Sequence, residues 1–297
     1  MSKMTDLTVL REIDPAARIA PDASIGIYCV IGPDVTIGSG TKVNRRVTIV
    51  GHTRIGSNNV IEEGCVLGAF PQDLKYAGGP TMLHIGHRNL LGREVTAHIG
   101  TESGGALTRI GDDNILMDGS HVAHDCYVDD RVYLGRSVLL AGHIRVQTGA
   151  RIEDLSGVHH FVTVGRFARV GAHTPVRRDV PPFTDFQSFN HDWQSPPTVC
   201  GVHEAGIANA NLPKEQEREL RFALKELFVN EAALQTKIEQ LVNMGVEGEA
   251  AKLCEFCLNS LQGVYGRCRE LYRGQAPPES RQPPSPEAGI DIRRNKQ

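Results

Sequence analysis

Residues 25–43 read Ile25-Gly26-Ile27-Tyr28-Cys29-Val30-Ile31-Gly32-Pro33-Asp34-Val35-Thr36-Ile37-Gly38-Ser39-Gly40-Thr41-Lys42-Val43, with an aliphatic side chain at every sixth place. Stepping outward by six reaches Ile13 and Ile19 on one side and Ile49, Ile55, Ile61 and Leu67 on the other. A second run holds Ile85, Leu91 and Ala97, and a third runs from Ile110 through Leu116, Val122 and Val128 to Val176. All 25 positions are apolar in a chain that is 40% hydrophobic, a coincidence with a chance of about 10⁻¹⁰. Neither a helix, with a period of 3.6, nor a half-buried strand, with a period of 2, repeats every six residues. Gly follows the aliphatic residue at Gly26, Gly32, Gly38, Gly56, Gly86, Gly111 and Gly135, which points to short strands separated by tight bends. Three hexads make an 18-residue triangular coil. Stacked coils pair as parallel strands around an aliphatic core. The expected fold class is therefore β, a parallel β-helix.

Two steps break the rhythm. Leu67 to Ile85 spans 18 residues, an insertion of about 12, and Ala97 to Ile110 spans 13, an excess of about 7. Loops near 68–83 and 99–108 are expected to leave the prism there, and loops of this kind commonly carry function. The solenoid is expected over 13–183 after an N-terminal extension (1–12), and a connecting segment over 184–212 follows it. Apolar residues at helical spacing, among them Leu220, Leu224, Leu227, Leu253, Cys257 and Leu271, predict a small α-helical C-terminal domain over 213–273. The proline-rich stretch 274–297 is expected to be a disordered tail.

Composition narrows the function. Lys and Arg total 32 against 35 Asp and Glu, a formal charge of −3, so no broad basic field exists to attract nucleic acid. No apolar run is long enough for a transmembrane segment and the N-terminus lacks a signal-peptide core, so a cytoplasmic protein is expected. Seven cysteines without paired spacing indicate reduced thiols, and Cys254 and Cys257 are expected to be packed on a helix rather than to bind metal. No cofactor is expected.

Seven of the 12 histidines fall between residues 98 and 173. Adding 18 to 124 places Gly142 over His124, with His143 beside it, and adding 18 again reaches His160, next to His159. Three readings of this edge stay open. A general base with an orienting carboxylate and an oxyanion donor would draw on His124, Asp125 and the Gly142 N–H. Histidines from two subunits would suit zinc. A decorated solenoid surface would need neither.

His121-Val122-Ala123-His124-Asp125-Cys126 and Gln72-Asp73-Leu74-Lys75-Tyr76-Ala77-Gly78, together with Leu140-Ala141-Gly142-His143, Val158-His159-His160-Phe161 and Asp179-Val180-Pro181-Pro182, closely resemble the UDP-N-acetylglucosamine O-acyltransferases of lipid A synthesis. The resemblance spans roughly residues 13–215. It implies a left-handed coil and a homotrimer with active sites between prisms. The implied reaction is transfer of an (R)-3-hydroxyacyl chain from acyl carrier protein to the glucosamine 3-position of UDP-N-acetylglucosamine. By the same resemblance His124 is the general base, Asp125 its orienting acid and Gly142 the oxyanion donor. Asp73 and Lys75 match substrate contacts, His98, His121, His143 and His159 match active-site histidines, and Ala172 falls where the family sets acyl-chain length.

The chain also departs from the family. His160 stands where the family has Gln. After Gly201-Val202 the family has an Asn, a Glu and a basic cluster that holds the nucleotide, whereas here Ala208, Asn209 and Ala210 replace the cluster. Each missing Arg removes a charge-assisted phosphate contact of about 1.5–3 kcal/mol. A repurposed paralogue that binds acyl carrier protein or a sugar nucleotide, and an enzyme with a different acceptor such as the 3-amino analogue, are the alternatives this segment raises.

Overall fold

The structure, a computed structural model, describes residues 11–188, 196–229 and 232–263. The expected tail, residues 264–273 of the expected helical domain and most of the N-terminal extension lie outside the described residues. So does the stretch 189–195.

Two-residue strands of the pattern outward–inward wind into a left-handed parallel β-helix with three sheets, of nine, eight and ten strands. Every aliphatic residue of the six-residue series from Ile25 to Val176 is buried, and these side chains fill one continuous core. Ile13, in the first coil, is 37% exposed because no described coil lies beneath it. Ordinary coils pair residue i with i + 18, as in Ile13↔Ile31 and Val128↔Val146. The pairs Ile55↔Ile85 and Leu67↔Ala97 are 30 apart, and Ile85↔Ile110 and Ala97↔Val122 are 25 apart. The extra residues leave the prism as loops; the first departs beside a register irregularity between Leu67 and Ala69, and beyond both loops the coils pair 18 residues apart again.

The bends are made differently from the expectation. The glycines after the aliphatic residues do not supply the left-handed backbone. A Cβ on Gly26 would lie 2.7 Å from the Asn44 carbonyl carbon, and one on Gly56 would lie 2.4 Å from the Gly86 oxygen. Gly is needed there because neighbouring coils approach too closely for a side chain. The positive φ falls two residues later and is carried mostly by other residues, such as Tyr28 (φ 59°), Arg46 (φ 59°), Glu94 (φ 57°), Asp125 (φ 58°) and His143 (φ 62°). Repeated in coil after coil, this left-handed corner accompanies a winding opposite to that of ordinary parallel crossovers.

The segment after Val176 is more ordered than a linker. Thr184–Gln187 adds one more parallel strand beside Arg169–Val170, and Thr198–Val202 returns antiparallel along it. The pairing step Arg169↔Asp185 is 16 rather than 18, so a six-residue scan does not register this strand. Among the described residues four helices follow: α1 (Glu204–Ala210), α2 (Lys214–Val229), α3 (Leu234–Asn243) and α4 (Gly248–Leu261). Leu220, Leu224, Leu227, Ile238, Leu241, Leu253 and Cys257 form their core and pack on Phe167 and Phe183 of the prism. The Glu249 carboxylate takes both short contacts from Arg166 Nη1 (2.6 and 2.5 Å), and Ser260 Oγ donates to Asp179 (2.7 Å), so α4 is pinned to the prism by polar contacts as well. The six described cysteines are free thiols, and burial pushes Cys257 up to about 12. Among the described residues no helix is long and apolar enough to cross a membrane.

Inside the prism Asn59, Asn89 and Asn114 form a buried ladder. Asn89 Nδ2 donates to Asn59 Oδ1 (3.0 Å) and to the Gly111 carbonyl (2.9 Å), and Asn89 Oδ1 accepts the Asn114 N–H (2.8 Å). Asn89→Ala strands these partners in the core and is expected to cost about 2–5 kcal/mol. Urea unfolding measures this; a loss below ~1 kcal/mol would mean that the ladder does not hold the coils.

Candidate active site

The strand His121–Val122 lies in the first sheet, with His121 directed outward between Thr96 below and Leu139 above. The chain then turns through Ala123, His124 and Asp125, and the positive φ at Asp125 brings its carboxylate back under its own neighbour's ring. His124 Nδ1 lies 2.8 Å from Asp125 Oδ2. A carboxylate only accepts, so Nδ1 carries the proton and the Nε2 lone pair is left for chemistry. Both side chains are buried, at 7% and 0% exposure.

The carboxylate is fully engaged. Thr101 donates its N–H to Oδ1 (2.8 Å) and its hydroxyl to Oδ2 (2.6 Å), and the Asp125 N–H donates to Thr108 Oγ1 (2.8 Å). Thr101 belongs to the second inserted loop and Thr108 to the strand that follows it.

Gly142 sits one coil up, against the ring. A Cβ there would lie 2.5 Å from His124 Cε1 and 2.7 Å from Nε2, so any other residue would displace the imidazole. Ala141 and His143 donate their N–H groups to Val158 and His124. The Gly142 N–H takes no backbone partner among the described residues. His143 stands edge-on to His124 (5.1 Å) and stacks on Phe161 (4.6 Å, 11°). His143 Nδ1 is 3.8 Å from Asp125 Oδ2.

Other histidines build the walls. His98 meets His121 edge to face at 5.0 Å, and Thr96 Oγ1 lies 2.7 Å from His121 Nδ1. Burial, with the neighbouring His98 and His124, pushes His121 down to about 4; burial and then His124 lower His98. Both are neutral at pH 7. His159 and His160 meet edge to face, with ring centroids 5.0 Å apart. His121, His124, Gly142, His159 and His160 all line one groove of about 850 Å³ along the outer face of the first sheet.

Some expected residues stand apart from this groove. Asp73 and Lys75 lie in the first inserted loop, where Asp73 Oδ1 accepts the Lys75 N–H (2.9 Å); of that loop, Gln72 reaches the groove wall. Ala172 is on the opposite corner of the sheet and is not among the lining residues. The sequence reading did not find Gln72, Arg177, Thr101 or Thr108. Arg177 was detectable, since it follows His159 by 18. Thr101 was not, because an insertion hides its register.

His124, Asp125 and His143 each offer a ligand atom within 4.8 Å of the others. The shared Asp125 Oδ2 is already filled by hydrogen bonds from Thr101 and His124, an arrangement that suits an oriented base better than an ion. On α1, Ala208 and Asn209 are exposed and bear no charge. The nearby Arg221 is held by both oxygens of Glu204 (2.9 and 2.8 Å) and by Glu217 (2.9 Å). His203, where the family has Asn, is buried and donates through Nδ1 to the Phe167 carbonyl (2.8 Å).

No family profile matches the chain. It is 40% identical over 195 residues to the acyl-[acyl-carrier-protein]–UDP-N-acetylglucosamine O-acyltransferase of a Synechocystis strain, covering 66% of this chain and 68% of that protein. The solved UDP-N-acetylglucosamine O-acyltransferase from Moraxella catarrhalis superposes with a TM-score of 0.78 at 33% identity, over 84% of this chain and 96% of that one. The Francisella novicida UDP-N-acetylglucosamine acyltransferase gives 0.77 at 30% identity, over 86% and 90%. With that identity over two thirds of its curated relative and the same fold as the solved structures, the chain belongs to the UDP-N-acetylglucosamine O-acyltransferase family.

Proposed function

We propose that the protein moves an (R)-3-hydroxyacyl chain from acyl carrier protein to the glucosamine 3-hydroxyl of UDP-N-acetylglucosamine, a step of lipid A synthesis in the cytoplasm. The observation that carries this reading is the buried His124–Asp125 pair, with Gly142 packed against the imidazole and the groove beside it. His124 Nε2 takes the hydroxyl proton as the oxygen attacks the thioester carbonyl. The Gly142 N–H receives the oxyanion of the tetrahedral intermediate. Its collapse breaks the C–S bond, and the departing thiolate takes the proton back from His124. Asp125 holds the ring in one tautomer and balances the imidazolium charge. The neutral His98 and His121 offer hydrogen bonds without adding charge beside the base.

The remaining assignments follow from the family. Asp73 and Lys75 contact the acceptor from the first loop, while His143, His159 and His160 border the acyl and acceptor paths. A methyl at Ala172 shortens the acyl pocket. In a homotrimer a neighbouring prism would close the groove that one chain leaves open. His124→Ala is expected to lower turnover by at least about 10³-fold with the oligomer intact; undiminished transfer, read by mass spectrometry of the acylated nucleotide, would remove the assignment.

One observation favours a second reading. The uncharged Ala208–Asn209–Ala210 segment, and an Arg221 already committed to two glutamates, give the diphosphate no cation on α1. A different acceptor, such as the 3-amino analogue, or a non-catalytic paralogue would fit that loss. Introducing Ala210→Arg should lower the KM for UDP-N-acetylglucosamine by roughly 10-fold, since a phosphate–guanidinium contact contributes about 1.5–3 kcal/mol. An unchanged KM would show that this segment does not meet the acceptor.

A further inference from the structure

The second inserted loop touches both halves of the site. Thr101, 1% exposed, gives two hydrogen bonds to the Asp125 carboxylate, one from its backbone to Oδ1 and one from its side chain to Oδ2. Ser103 Oγ stands 3.3 Å from the Thr101 hydroxyl oxygen, and with that hydroxyl proton committed to Asp125, the Ser103 proton points to Thr101. Gly104 roofs the same carboxylate: a Cβ there would fall 2.0 Å from Asp125 Cγ. The next residue along from Thr101 faces the other way. Glu102 Oε1 accepts the N–H of Gly79 (2.5 Å) and of Ala77 (3.3 Å), both in the loop that carries Asp73 and Lys75. Hydrogen bonds from its own N–H and that of Gly79 keep Glu102 below the ordinary carboxylate range, and hence charged.

The geometry points to Thr101 as a positioning residue that makes the dyad a Thr101–Asp125–His124 relay, with Glu102 fixing the acceptor loop to the same strap. A carboxylate held at Oδ2 by both Thr101 and His124 cannot swing away from the imidazole. The lone pair of His124 Nε2 is thereby aimed at one place. Glu102 sets the height of the 73–79 turn relative to that lone pair. The two neighbours therefore have separable effects: Thr101 acts on the chemical step and Glu102 on the acceptor's place. The second half of this statement rests on the reading of Asp73 and Lys75 as acceptor contacts.

Thr101→Val keeps the shape and the backbone hydrogen bond and removes only the hydroxyl donor; Thr101→Ser restores it. Valine is expected to lower kcat about 10–100-fold, the range for a lost hydrogen bond to a charged group, with the acceptor KM within about 2-fold and the thermal midpoint of the full chain little changed. Serine should return most of the activity. Glu102→Ala should do the reverse, raising the acceptor KM several-fold with kcat nearly unchanged. A second measurement needs no substrate: the rate of His124 carbethoxylation by diethyl pyrocarbonate, followed by peptide mass spectrometry, reads the Nε2 lone pair directly. That rate should fall several-fold in Thr101→Val and recover in Thr101→Ser. Equal labelling of wild type, Val and Ser forms overturns the relay whatever the enzyme acylates. If labelling follows the hydroxyl but wild type transfers no acyl group to UDP-N-acetylglucosamine, the relay stands and the proposed reaction falls.

Discussion

The Ala123 N–H reaches the Leu140 carbonyl, and Ala141 reaches Val158 in the same way. This ladder repeats every coil and fixes the spacing of everything outside the prism at about 4.8 Å per 18 residues. His124, Gly142 and His160 are far apart in the chain yet lie on one line because of it. The aliphatic core keeps the line straight, since a single slip in register would turn each outward side chain inward. The line of residues is thus set by the ladder, and the inserted loop adds Thr101 to the Asp125 carboxylate. His124 and Gly142 are neighbouring rungs.

On that frame the two insertions do separate work. Both depart where the pairing distance rises to 30 and then 25 residues, ahead of the coil that carries His124, and that coil pairs with the next at the ordinary 18. The 101–106 loop packs inward and saturates the Asp125 carboxylate. The 70–80 loop stays more open, with Leu74 and Phe70 exposed. The His124–Asp125 pair is thus held by buried contacts, while the loop that carries Asp73 and Lys75 stays largely exposed.

How far the residues alone led follows the same division. The period of six disclosed the solenoid because each Ile, Val or Leu of the series must face inward, and a count of 18 set Gly142 over His124 without any structure. The corner chemistry was misjudged. Gly26 and Gly56 looked like turn formers, but their role is close approach between coils, while the turns use Tyr28, Asp125 or His143. The strand Thr184–Gln187 escaped because its pairing step is 16. Thr101 escaped because no period runs through an inserted loop. The role of His203 needed coordinates: it fastens the start of α1 to the Phe167 carbonyl.

The left-handed backbone at Asp125 has a consequence for how the site can change over generations. At φ near +58° a β-branched residue is strained, whereas Asp and Asn are the side-chain-bearing residues that adopt this conformation most readily. Yet corners of other coils hold Tyr28, Arg46, Glu94, Leu155 and Phe161 at a similar φ, so the bend itself excludes little beyond β-branched residues; what singles out Asp125 is the pair of groups its carboxylate meets, the His124 ring and the Thr101 hydroxyl. Replacement of Asp125 is therefore limited by the partners of its carboxylate rather than by the bend. The loop beside it is held by fewer partners, with Phe70 and Leu74 open to solvent and Gly79 and Ala77 tied back through Glu102, so substitutions there meet far less of the fold.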